Sequence, residues 1–364
     1  MKDFFICGNA YSESEIKQMS REDFCMEALR FLPQKLYKYF PNTTNEEGIN
    51  YSSQALENNT VYLQTPMQFD DPYDCAITID WLEFFMRRLT YYANECGCPV
   101  DHSWDYNKLV YELSLFLYTC INSGKSLEAI FRIKEDRNDH VDLTKHKFIL
   151  LLQTVLHECQ KDEAVWQKAF FRALNEEFSD TNKYLAGSFR VSCFTTSPYS
   201  MRMWAHYANN HKGFCIEYTA PPFNDQTKDI YSNLFPAIYS DHRTSVLDQC
   251  VSHLSMPRIT DEILWDIYKY GLLSKSLVWK EQNEWRLISC DNLLSGDEHY
   301  NCRFFPISKV YLGNKMKPDD RKTVIEICNS KQIPYVGVTV HNDRYQMHDC
   351  ERLCEDCPKL LSTQ

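Results

Sequence analysis

"MWAHYANNHKGFCIEY", residues 203–218, decides the kind of fold, because it reads as a helix running directly into a strand. Ser197 followed by Pro198 suits a helix start, with serine as the cap and proline in the first turn, and Gly213 after Lys212 suits a stop. The stretch between them is predicted to form a helix of about four turns. On it Trp204, Tyr207, Ala208 and His211 share one face at i, i+3, i+4 and i+7, while His206 points elsewhere. "GFCIEY" then alternates Phe214, Ile216 and Tyr218 against Cys215 and Glu217, as a half-buried strand does. Two readings stand for the aromatic and polar groups here: they fill a core, or their polar edge borders a site.

On the N-terminal side lies the strand "SFRVSCFT". It places Ser192, Thr195, Thr196 and Ser197 where the chain leaves a sheet, so their hydroxyls can cap a helix or meet a ligand. Further strands are expected at "KLYKYF", "NTVYLQTP", "NEWRLISC", "ISKVYLG" and "IPYVGVTV". The segment "MQFDDPYDC" reads as a turn. Helical periodicity marks residues 11–32, about 81–182 and 244–282. Strands and helices do not alternate regularly, so an α+β core with a large helical insertion fits better than a doubly wound sheet. The expected divisions are an N-terminal helical extension over 1–35, a first core part over 36–80, a helical insertion over 81–185, a second core part over 186–345 and a Cys-rich tail over 346–364.

The chain has 364 residues, of which 44 % are hydrophobic and 14 % aromatic, a composition that folds throughout. Its formal net charge of -11 excludes a broadly basic surface that grips nucleic acid through phosphates alone. A localised basic groove from Arg87, Arg88, Arg132 and Lys134 is the remaining route to such a partner. No signal peptide or membrane-spanning run is expected, which points to the cytoplasm and to no membrane partner. The 16 cysteines are scattered singly, as reduced core residues are. The tail "HDCERLCEDC" is the exception: His348, Cys350, Cys354 and Cys357 are soft ligands, but without two C-x2-C pairs, and no metal is assigned. There is no P-loop, no G-x-G-x-x-G and no G-x-S-x-G, which sets aside P-loop, Rossmann dehydrogenase and serine hydrolase chemistry.

The strongest chemical signal is "WKEQNEWR", residues 279–286, read as the opening of a strand. Alternation puts Gln282, Glu284 and Arg286 on one face and Asn283, Trp285 and Leu287 on the other. Such a row is either a surface ladder of little energetic weight or a site. In a site, a carboxylate held ionised beside Arg286 stabilises a developing oxocarbenium ion on a ribose, and the amide orients an acceptor.

Taken in order, "LYKYF", "VYLQTPMQFDDPYD", "VSCFTTS", "MWAHYANNHKGFCIEY" and "KSLVWKEQNEWRLIS" resemble an uncharacterised bacterial domain family. That family is marked by Leu-Tyr-Lys-Tyr, a Phe-Asn-Asp-Pro turn, a Trp-x-His-Tyr helix and a Trp-x-x-Glu-x-Glu-x-Arg strand. Two positions depart from its pattern: Asp70 stands where the turn has Asn, and Gln282 where the strand has its first Glu. The resulting Gln-x-Glu resembles the glutamate-bearing strand of ADP-ribosyltransferases. The resemblance implies a mixed-sheet core of that kind, NAD as substrate, Glu284 as catalytic carboxylate, Gln282 on the acceptor side and Arg286 beside them. It further implies NAD contacts from Tyr37, Lys38, Tyr39, Ser192, Thr195, Trp204, His206 and Tyr207. The partner would be a macromolecular acceptor, protein, RNA or DNA, in a toxin or phage-defence setting with a possible antitoxin or regulatory partner. Two alternatives are a non-catalytic sensor or interaction protein, and a metal-dependent hydrolase or nuclease using His206, His211, Asp70, Asp71 and Glu217.

Overall fold

The computed structural model describes residues 4–75, 80–131, 143–158, 162–187, 189–247, 265–290, 300–341 and 343–350. The chain divides into two compact units, one of residues 1–74, 188–241 and 273–364, the other of 75–187 and 242–272. All strands described fall in the first unit: β1 (Phe4–Ile6), β2 (Asn9–Tyr11), β3 (Lys35–Phe40), β4 (Thr60–Tyr62), β5 (Phe189–Phe194), β6 (Phe214–Thr219), β7 (Leu234–Pro236), β8 (Ile238–Ser240), β9 (Ser274–Ser276), β10 (Trp285–Cys290), β11 (Asn301–Arg303), β12 (Ile307–Leu312), β13 (Tyr335–Val340) and β14 (Met347–Asp349). The protein is therefore mixed α+β.

The largest sheet runs β14-β13-β12-β6-β3. It is antiparallel except for β12 and β13, which are parallel and joined through the helix Pro318–Ser330, the long crossover that a parallel pair requires. The sheet β5-β10-β7 carries the Glu284 region and is joined to the first by a bridge between Tyr37 and Thr195. A third sheet, β2-β1-β8-β9, supplies β9, and β4 pairs with β11.

The strand "FCIEY" is buried on both faces rather than one. It lies between β3 and β12, so Phe214, Ile216 and Tyr218 enter one core while Cys215 and Glu217 enter the other layer. Glu217 is tolerated there because Lys35, Ser308 and Tyr311 each donate to its carboxylate at 2.8 Å.

The helix before it is shorter than the sequence implies. It spans Met201–His206, and its cap is Ser200, not Ser197. Asn209, Asn210 and His211 follow with φ of 48°, 53° and 69°, left-handed conformations that end a helix. Gly213 is needed for space: a Cβ there would lie 1.9 Å from the Phe40 carbonyl oxygen. Trp204 is fully buried, donates its indole N–H to the Pro198 carbonyl at 2.7 Å, and meets Tyr39 edge-on.

The expected helix over 244–282 is also interrupted. Residues 248–264 lie outside the described region; beyond them come a π-helical turn Ile267–Leu272, the strand β9 and a 3-10 helix Leu277–Gln282. The π-helical turn groups with the second unit.

That second unit is helical, with Trp81–Cys96, Tyr106–Asn122, Leu127–Ile130, Leu143–Glu158 and Glu163–Gly187. Asp80, Asp105 and Ser126 cap three of these helices by accepting from the third amide of each. Tyr92 stacks on Phe148 at 3.9 Å in its core, and the Trp166 indole donates to the Ser114 carbonyl. Arg88 is buried and donates to the Tyr92 hydroxyl, and Arg87 pairs with Glu83. Those two arginines thus support the helix bundle, and Arg132 and Lys134 lie outside the described residues.

Candidate active site

The stretch 279–286 is not one strand. Leu277–Gln282 is a 3-10 helix, Asn283 turns the chain with φ 43° and ψ 54°, and β10 begins at Trp285. Short polar Asn tolerates that left-handed turn better than most residues. Past the turn the expected alternation holds: Trp285 and Leu287 join the apolar core, while Glu284 and Arg286 face a different environment.

That environment is a closed ring of four buried charges. Arg286 donates from Nε to Glu284 Oε1 at 2.7 Å and from Nη2 to Asp74 Oδ1. Lys275 donates to Glu284 Oε2 and, at 3.0 Å, to Asp74 Oδ2. Each carboxylate thus bridges both cations, and the ring carries no net charge. The side chains of Arg286, Lys275, Glu284 and Asp74 are 0 %, 3 %, 4 % and 10 % exposed, so the row is not a surface ladder. Burial by itself would raise the Glu284 carboxyl, but the charges of Arg286 and then Lys275, with their hydrogen bonds, outweigh it and hold the group down at about 2. The backbone N–H of Glu284 donates to the Tyr239 hydroxyl at 2.8 Å, which fixes the residue from β8.

Around the ring the polar groups are unevenly satisfied. Gln282 is buried, its carbonyl oxygen accepts from Thr195 Oγ1 at 2.5 Å, and neither atom of its side-chain amide has a hydrogen-bond partner. Tyr207 as a residue is two-fifths exposed; burial raises its phenol, with the charge of Lys275 opposing and that of Glu284 adding to the shift. Lys38 donates to the Cys193 carbonyl at 3.2 Å, and burial drives its ammonium below the usual range against the pull of Cys193 and Glu284.

The rim is tied to the same turn that supplies Asp74. The Trp279 indole donates to Asp71 at 2.9 Å, and His206 meets Trp279 edge-on at 6.1 Å. The turn "DDPYD", the helix bearing His206 and Tyr207, and the Gln282–Arg286 segment are thereby one contact cluster.

Of the residues expected at the site, Glu284, Gln282, Arg286, Tyr207, Lys38 and Thr195 come together, with His206 at the rim. Tyr37, Tyr39 and Trp204 do not: they lie in an apolar layer with Cys215 and Tyr311, the tyrosines because alternation along β3 sends them to the opposite face from Lys38, and Trp204 because its helix packs it against Tyr39. Ser192 is also turned away, opposite Leu287 in register, and Cys193 takes the place opposite Arg286. Burial first, then the Glu284 charge, pushes the Cys193 thiol up. Asp74, Lys275, Tyr239 and Cys193 are the site residues the sequence reading does not single out. The segments "VYLQTPMQFDDPYD" and "KSLVWKEQNEWRLIS" end and begin on Asp74 and Lys275, but they also hold Asp70, Asp71 and Lys280, so the sequence offers no signal that selects these two as the counter-charges.

Of the residues of the metal-hydrolase alternative, Asp71 and His206 both meet Trp279, but Glu217 and His211 lie elsewhere. Glu217 is engaged in the largest sheet and His211 stacks on Trp204 at 6.1 Å. Among the described residues no three His, Cys, Asp or Glu side chains converge as a metal site, and no helix is long and apolar enough to cross a membrane. A cavity of about 700 Å³ in the second unit, between the helices Tyr106–Asn122 and Glu163–Gly187, contains none of the expected site residues.

Residues 203–287 match a family described as "Protein of unknown function (DUF2971)". The matched span holds Tyr207, Tyr239, Lys275, Gln282, Glu284 and Arg286, and excludes Asp74 and Lys38. No curated protein and no solved structure matches the chain.

Proposed function

We propose that the protein is an NAD-dependent ADP-ribosyltransferase that modifies a macromolecular acceptor, protein or nucleic acid, as a toxin or phage-defence effector. The observation that carries the reading is Glu284: a carboxylate kept ionised although removed from water, next to an unpartnered buried amide at Gln282. In this reaction the bond between the ribose C1′ and nicotinamide breaks and nicotinamide leaves with the bonding electrons. The acceptor nucleophile then bonds to C1′ and gives up its proton to solvent. A fixed negative charge favours the positive charge that develops on the ribose, and it acts strongly where water is excluded. Each Glu284 oxygen retains acceptor capacity beyond its one cation partner, enough to bind a ribose hydroxyl. The Gln282 amide would serve the acceptor, and Lys38 would attract phosphate. The test is incubation of the protein with labelled NAD and a cell lysate, beside Glu284→Gln. Label passing to protein or nucleic acid only with the unsubstituted protein supports the reading; absence of transfer from folded protein, with no nicotinamide released, overturns it.

A second reading, a non-catalytic sensor or interaction protein, is favoured by one feature. Every carboxylate oxygen in the ring already has a cationic partner, as in a brace that only holds strands together. On that reading Glu284→Gln lowers stability and the unsubstituted protein leaves NAD intact.

A further inference from the structure

The helices Tyr106–Asn122 and Glu163–Gly187 of the second unit carry matching stripes. On the first, Asn107, Val110, Tyr111 and Ser114 stand at i, i+3, i+4 and i+7; on the second, Lys168, Phe171, Arg172 and Asn175 repeat that spacing. Helix stripes of this period ordinarily close on one another with apolar side chains. Here they line a cavity of about 700 Å³, within the range of about 300–1,000 Å³ that small-molecule sites occupy. The two helices are locked beside it: buried Trp166 donates its indole N–H to the Ser114 carbonyl at 2.9 Å and stacks on Phe170.

One group in the cavity wall has no structural role. Ser114 is 1 % exposed and its carbonyl is engaged, yet its hydroxyl has no hydrogen-bond partner. Inside a helix, alanine would avoid both the unpaired hydroxyl and the poorer helix propensity of serine. A ligand that bonds to the hydroxyl removes the first penalty. The cavity also holds two aromatic rings left partly in water, Tyr111 from one helix and Phe171 from the other, 45 % and 41 % exposed. Lys168 beside Phe171 is exposed and has no ionic partner among the described residues. The amides of Asn107 and Asn175 add donors and acceptors. We propose that the cavity binds a nucleoside monophosphate. Its base stacks on Tyr111 and Phe171, its phosphate meets Lys168, and its polar edge bonds to the Ser114 hydroxyl and the asparagine amides. An apolar anion such as a fatty acid would satisfy the rings and Lys168 but leave Ser114 unpaired. The site shares no residue with the four-charge ring and is independent of the proposed transferase activity.

The test is calorimetric titration of the full-length protein with AMP, GMP, CMP and UMP, beside the phosphate-free nucleosides and decanoate. At least one monophosphate should bind, and both its nucleoside and Lys168→Gln should lower the affinity by about 10–100-fold, the scale of a charge-assisted hydrogen bond. Tyr111→Ala/Phe171→Ala should lower it about tenfold or more. These three side chains are exposed, so their variants keep the fold, which circular dichroism checks. Ser114→Ala should weaken binding while the thermal midpoint holds or rises, a split that a merely structural serine would not give. The bound nucleotide should slow amide hydrogen exchange in 106–122 and 163–176. No binding of any monophosphate overturns the proposal, as does binding unchanged in folded Tyr111→Ala/Phe171→Ala, decanoate binding more tightly than every nucleotide, or protection absent from both helices.

Discussion

Asp74 and Arg286 are separated by 212 positions in sequence and are in direct ionic contact, closing a ring whose other members are Lys275 and Glu284. The contact fastens the end of the "DDPYD" turn to β10, and Lys275 fastens the same aspartate to β9. Removing Asp74 leaves two buried cations sharing one carboxylate. Asp74→Ala is expected to destabilise by about 3–5 kcal/mol, the range for breaking a buried pair from one side. Urea unfolding measures it, and a loss within the range of a surface ion pair, under about 1 kcal/mol, would contradict the ring's importance.

Acid should unfold the first unit through Glu284. Its folded value, about 2, lies below the ordinary value of a glutamate, so its contribution is fully present above the unfolded value. That contribution is lost as pH falls from about 4.3 towards 2, and amounts to something on the order of 3 kcal/mol. Unfolding midpoints recorded across that window should fall for the unsubstituted protein and much less for Glu284→Gln. Parallel curves would show that other carboxylates dominate.

The unpartnered Gln282 amide is a cost to the free protein. A buried polar group without a partner costs about 1–3 kcal/mol, and an apolar group of similar shape avoids that penalty. Gln282→Met should therefore raise the thermal midpoint while impairing acceptor modification. A lower midpoint would mean the amide is satisfied in solution.

Gly213 and Gly313 lie where neighbouring backbones approach closely. A Cβ at Gly213 would meet the Phe40 oxygen at 1.9 Å, and one at Gly313 the His211 oxygen at 2.2 Å. Backbone cannot yield as a side chain can, so either alanine variant should lose about 1–3 kcal/mol or more. Chemical denaturation of both variants is the check; a neutral Gly213→Ala would refute the packing account.

The strands were legible as short runs rich in aromatic and β-branched residues, as in "KLYKYF" and "SFRVSCF". Burial on both faces of β6 was not, because it depends on which strands become its neighbours. The short helix at 201–206 escaped a reading based on capping residues, since Asn209 and Asn210 end it by backbone conformation. Glu284 and Arg286 were visible as an alternating pair. Their counter-charges were not, since Asp74 and Lys275 become partners only through long-range pairing that no local spacing encodes. Lys38, Tyr37 and Tyr39 illustrate the same limit at smaller scale: adjacent in sequence, they are divided by the pleat between a charged site and an apolar layer.

The most direct test of the central claim is the rate of nicotinamide release from NAD by purified protein and by Glu284→Gln, with both shown to be folded. The account predicts release by the unsubstituted protein and a loss of about 10²–10³-fold in the variant, the scale of removing one preorganised electrostatic contact. Equal rates in the two, or no release from either, would contradict it and leave the four-charge ring as a structural brace.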